Sequence, residues 1–217
     1  MQEQEIIQQT IAFVKQTLAG AEAGHDWFHI ERVYKTALTI NASEKADNLI
    51  VSLAALLHDI ADSKFNNGDE TIGPRIAGEF MQSLNLAPEI IEHVQQIILN
   101  MSYKASLGTV TFHSHELEVV QDADRLDAIG AIGIARAFTY GGFKNRVLYD
   151  PAIPFVENMS KEAYKNTTAP TINHFYEKLL LLKDLMKTAA GKAMAQQRHD
   201  FMLNYLDQFY KEWDGKS

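Results

Sequence analysis

The sequence predicts an all-α protein, and three observations carry that prediction. Apolar residues recur at helical spacing along nearly the whole chain, and β-branched runs are almost absent. Five prolines and twelve glycines leave little room for long structureless linkers. No internal period is found, so the expected architecture is a helical bundle rather than a repeat array. A chain of 217 residues, 46% hydrophobic and 10% aromatic, has ample material for a packed core.

Taken in order, Ile6, Ile7, Ile11, Val14 and Leu18 form a first stripe that ends at Gly20. Trp27, Ile30, Val33, Tyr34, Ala37, Leu38 and Ile40 form a second. Residues 48–62 are too apolar for one face and read as buried all round. Further helices are expected over 70–84, 88–100, 115–139, 171–190 and 192–212. The one β-branched run, GTVTF at 108–112, reads as a short strand or a loop. From Tyr140 to Pro170 the chain holds the pair Gly141–Gly142, several prolines and the aromatics Phe143, Tyr149, Phe155 and Tyr164. A connection of that length in a small domain reads as a lid or binding loop. We read 140–170 as a flap, with Gly141 and Gly142 as the flexible end.

A formal charge of −8 excludes a nonspecific nucleic-acid binder, which needs clustered Lys and Arg. It leaves room for a local cationic pocket that takes a small phosphorylated substrate. The absence of cysteine removes disulfides, thiolate nucleophiles and thiolate-held zinc. The N-terminus is polar and acidic where a secretory signal would be basic and apolar. No apolar run reaches the length of a membrane span. A cytoplasmic protein without membrane contact is expected, and for an enzyme of this size a homodimer is the commonest assembly.

The polar residues set in apolar company carry the chemistry. LAALLHDIAD, residues 53–62, places His58 and Asp59 in an otherwise core-like run. Burying an ionised carboxylate without a partner is costly. GHDWFHIERV puts His29 at the edge of a buried stripe, and ELEVVQDADRLDAIG sets Asp122, Asp124 and Asp127 among Val119, Val120, Leu126 and Ile129. Two imidazoles and two carboxylates from three helices make a mixed nitrogen–oxygen set suited to a divalent metal. A cation there would neutralise Asp59.

This pattern resembles the HD-domain metal-dependent phosphohydrolases: a His on one helix, an adjacent His-Asp pair on a later one and a distant Asp. The matching segments are HDWFHIERV, LLHDIADSKF and QDADRLDAIGAIG, in the expected order, with a following YGG. The likeness is closest to the small stand-alone bacterial subgroup, some members of which act on nucleoside triphosphates and release pyrophosphate. The resemblance implies one HD-type domain over 1–217, with a motif core at about 20–135, the flap at about 140–170 and additional C-terminal helices at about 171–212. It implies one divalent ion (Mn, Fe, Co, Ni, Mg or Zn) held by His29, His58, Asp59 and Asp124. Members with two ions carry further histidines on the helix after the His-Asp pair. Here that helix offers His93, and Met101 stands where another would be informative, so a second ion is not expected.

The implied reaction is hydrolysis of a phosphate ester or phosphoanhydride in a small nucleotide-like substrate by water that the ion activates. Asp62, three residues after Asp59, is the candidate for proton transfer, a role that an acidic residue near this position has in related nucleotidases. Lys64, Arg125, Lys104, Lys144 and Arg146 are the candidate phosphate partners. His113, His115, His174 and His199 read as surface histidines. The competing reading is a non-catalytic HD module that binds a nucleotide or signalling ligand. A di-iron carboxylate bundle would need two Glu-x-x-His motifs, and only Glu22–His25 fits.

Overall fold

A computed structural model describes residues 2–20, 26–61, 69, 71–101, 112–157 and 167–216, and every regular element among them is a helix. The chain divides into two compact units, Met1–Ala123 and Asp124–Ser217.

The first unit holds α1 (Glu3–Thr17), α2 (Trp27–Glu44), α3 (Asn48–Leu57), α4 (Ile72–Ser83), α5 (Pro88–Asn100) and most of α6 (His115–Asp127). Its centre is α3, which packs against α1, α2 and α5. Every residue from Val51 to Leu57 has no exposed surface, as the all-round apolar pattern predicts. Each large aliphatic side chain buried there contributes on the order of 1.5–3 kcal/mol. The helix ends follow local chemistry. Asp47 caps α3 by accepting from the Ile50 N–H at 2.9 Å, and Pro88 opens α5, where its missing N–H costs nothing. Lys45 closes α2 in the left-handed conformation, φ 63°. Phe13 and Phe80 stack at 4.0 Å, joining α1 to α4.

The second unit holds α7 (Gly130–Phe143), α8 (Asn173–Glu177), a 3-10 helix at Leu179–Leu185 and the long α9 (Ala189–Trp213). Here α9 packs against α7 and the 3-10 helix. Thr188 caps α9 by accepting from the Gly191 N–H at 2.9 Å.

Three sequence expectations are corrected. The single helix over 115–139 is two, because Gly130 takes φ +76° and breaks the run. The helix over 171–190 is a five-residue α-helix followed by the 3-10 turns LLLLKDL. At three residues per turn Leu179 and Leu182 stack on one side, and both are buried while Leu181 is exposed. The expected hinge of the flap is helical, since Gly141 and Gly142 lie in the last turn of α7. A Cβ on Gly141 would stand 2.2 Å from the Thr171 Oγ1, so that glycine serves close packing rather than freedom. The GTVTF strand-or-loop falls on residues outside those described, apart from Phe112. No described helix is long and apolar enough to cross a membrane.

Candidate metal centre

The His-Asp pair stands where a buried helix stops. His58 is the C-cap of α3 and Asp59 follows it, both partly exposed, with Ile60 buried beyond them. The last carbonyls of a helix lack intrahelical partners and carry partial negative charge, which favours a cation at that end. The His58 Nδ1 lies 2.9 Å from one of those carbonyl oxygens, that of Ala55. A carbonyl only accepts, so Nδ1 carries the proton, and Nε2 of the neutral ring carries the lone pair that a metal takes.

His29 approaches from the first turn of α2 and is buried. Asp26 sets the start of that turn, because its carboxylate accepts from the His29 backbone N–H at 3.0 Å. The two imidazoles meet edge to face, with ring centroids 5.4 Å apart. Donor atoms of His29, His58 and Asp59 all lie within 4.8 Å of one another. Metal–ligand bonds of about 2.1 Å place opposite donors about 4.2 Å apart. This set therefore closes on one ion with small side-chain shifts. Two imidazoles and a carboxylate, with the His58 tautomer set by the Ala55 carbonyl, fit a divalent transition metal.

The other predicted site residues that are described lie on α6 and just after α7. Asp124 is half-buried on α6, at the start of the second unit. Its neighbours differ from it: Asp122 has no exposed surface, and Asp127 is buried in an ion pair with Arg136. Arg125 is also buried, and its Nη1 donates to the Leu185 carbonyl at 2.7 Å, a bond that ties α6 to the end of the 3-10 helix. Lys144 is exposed beside the Phe143 and Tyr140 rings, at 5.2 and 5.7 Å from their centroids. Arg146 is half-buried, lies 5.7 Å from the Tyr140 ring and donates to the Thr167 carbonyl at 2.6 Å. Asp62, Lys64 and Lys104 lie outside the described residues.

Two features escaped the sequence reading. Asp26 acts as the cap that positions His29, a role signalled only by an Asp three residues ahead of it. His174, expected at the surface, is largely shielded. Burial first, then the nearby Lys178 and Arg146 cations, push its imidazole down to about 3.

The family evidence agrees with this geometry. An HD-domain model matches residues 27–129, a span that contains His29, His58, Asp59 and Asp124. Bacillus subtilis YpgQ is 36% identical over 219 residues, covering 99% of this chain and 97% of YpgQ. The crystal structure of an HD-superfamily hydrolase from Bacillus thuringiensis superposes with a TM-score of 0.79 at 45% identity, over 98% of this chain and 99% of that one. The structure of YpgQ in complex with ADP superposes with a TM-score of 0.75 at 36% identity, over 98% of this chain and 97% of YpgQ. With its histidines and its His-Asp pair brought together at the end of a buried helix, and with relatives this similar along their whole length, the chain belongs to the HD-domain family, in its group of small HD-superfamily hydrolases.

Proposed function

We propose that the chain is a metal-dependent phosphohydrolase of a small nucleotide, cleaving a phosphate ester or phosphoanhydride. Nucleoside triphosphates are the first candidates, with pyrophosphate as the product of that cleavage. The observation that carries this reading is the convergence of the His29, His58 and Asp59 donor atoms within 4.8 Å. The ADP complex of Bacillus subtilis YpgQ supports a nucleotide as the ligand class.

A bound divalent cation would lower the pKa of a water molecule and polarise a phosphoryl oxygen. The chain's own residues supply the rest. His29 and His58 offer neutral nitrogens, and the carboxylates of Asp59 and Asp124 balance the positive charge. An Asp62 carboxylate oxygen receives the proton of the attacking water. Lys64, Lys104, Lys144 and Arg146 are assigned to the phosphate charge. Arg125 belongs to the same proposed set, with its Nη1 also donating to the Leu185 carbonyl.

The test is a panel of nucleotides and simple phosphate esters with Mn²⁺, Mg²⁺, Co²⁺ and Ni²⁺, scoring phosphate and pyrophosphate separately. Metal-dependent release from a nucleotide that disappears in His58→Ala is expected. Release that persists in His58→Ala, or none from any substrate, would contradict the reading.

A further inference from the structure

The aromatic residues of segment 144–157 build a pocket in the second unit that the reaction above does not use. Its volume is about 280 Å³, and its lining includes Tyr149, Phe155, Tyr176, Tyr210, Asp150 and Asn173. No Lys or Arg is among the described residues that line it. A volume below the roughly 300–1,000 Å³ of drug-sized sites suits a compact group rather than a nucleotide.

The pocket is preorganised. Tyr149 and Tyr210 stand edge to face at 5.3 Å, and Phe155 stacks on Tyr176 at 4.7 Å. The Tyr210 hydroxyl donates to that of Tyr176 at 3.3 Å. Burial, with Tyr176 and Tyr149 alongside, pushes the Tyr210 phenol upward, so it stays neutral. The loop wall is tied down at several points. The Asp150 Oδ1 accepts from the Ala152 N–H at 2.9 Å, and the Asn173 amide donates to the Ile153 carbonyl at 3.0 Å. The Val156 N–H reaches a Glu177 carboxylate oxygen at 3.3 Å.

Ring faces are electronegative, and a group of them with one carboxylate and no cation among the described lining residues attracts positive charge. Among the described lining residues an anionic ligand would meet electron-rich ring faces and the Asp150 carboxylate. A strongly hydrated inorganic ion would exchange its water for a single carboxylate and neutral hydroxyl and amide oxygens. The chemistry left is an organic cation whose charge is spread over alkyl groups. We propose that this pocket binds a small organic ammonium ion, held on the faces of Tyr149, Phe155, Tyr176 and Tyr210 and balanced by the Asp150 carboxylate.

The proposal does not depend on the metal centre or on the reaction assigned to it. The experiment is a calorimetric titration of the full chain with choline and with dimethylbutanol, its uncharged isostere, in which carbon replaces the ammonium nitrogen. Choline is expected to bind about tenfold more tightly than the isostere. Asp150→Asn keeps the Oδ1 acceptor for Ala152, so it should weaken choline and leave the isostere unchanged. Tyr176→Leu should weaken both, with melting temperatures recorded to show that each variant is folded. Equal affinity for the two probes, no binding of either, or choline affinity unchanged in folded Asp150→Asn would overturn the proposal.

Discussion

The His58 Nδ1 lies 2.9 Å from the Ala55 carbonyl oxygen, so a helix end fixes the tautomer of a candidate metal ligand. Backbone thereby does what a carboxylate partner often does for a metal-bound histidine. The same economy holds at His29, whose backbone N–H is the donor that Asp26 accepts. Both imidazoles are positioned by the ends of the helices that carry them.

Removing the cap should expose that dependence. Asp26→Ala is expected to cost about 1 kcal/mol of stability, the usual value of an N-cap, whereas Asp26→Ser keeps a capping oxygen and should cost much less. Metal affinity should follow the same order, because the first turn of α2 holds His29. Urea unfolding and metal titration of the two variants check this, and identical behaviour of the two would contradict the cap's role.

Asp62 is separable from the ligands. Asp62→Asn preserves size and should leave metal content near normal while turnover falls by about 10²-fold or more. The check is elemental analysis beside the rate on the best substrate of the nucleotide panel. Wild-type turnover in this variant would contradict the proton-transfer role of Asp62.

Two glycines should respond in opposite directions. A Cβ at Gly130 would meet the Arg198 side chain at 2.9–3.2 Å, and the residue holds φ +76°. Gly130→Ala is expected to destabilise by more than about 1 kcal/mol. Gly142 is helical with nothing within 4 Å of an added Cβ, so Gly142→Ala should be neutral or stabilising. Thermal melts of both variants decide. A destabilised Gly142→Ala would restore that glycine's conformational freedom as a requirement.

The pH dependence of stability should contain a His174 contribution. The native ring titrates at about 3 and the unfolded ring near 6.5. Between those values the unfolded chain binds more protons, so stability rises with pH there. The contribution is complete above about 6.5 and is lost as pH falls toward 3. His174→Asn should therefore flatten part of the decline in urea midpoint between about pH 7 and pH 5. An unchanged slope would contradict the shielded environment.

The sequence is most legible where one periodicity has one explanation. Val51–Leu57 reads as buried all round and is, and the placement of His29 and His58–Asp59 follows from helix spacing and motif order. It is least legible where local signals are degenerate. The run through Gly130 keeps helical periodicity on both sides, and only the Arg198 stem lying against that glycine shows why the chain turns there. Leu179–Leu182 satisfies an α-helix and a 3-10 helix equally until burial selects a three-residue repeat. Nothing in the sequence signals that the Arg125 guanidinium donates to the Leu185 carbonyl, sixty residues later. His174 reads as a surface histidine, because no local signal shows the burial that, with Lys178 and Arg146 beside it, pushes its imidazole down.

The central claim is that His29, His58 and Asp59 hold a divalent metal, and metal content per chain tests it most directly. Wild-type protein loaded with Mn²⁺ or Co²⁺ and freed of excess should retain about one ion per chain, and chelation should lower its melting temperature. His58→Ala and Asp59→Ala, purified in parallel, should retain little metal and melt at a temperature that chelator no longer changes. Full metal content in both variants, or a wild-type melting temperature indifferent to chelation, would contradict the account.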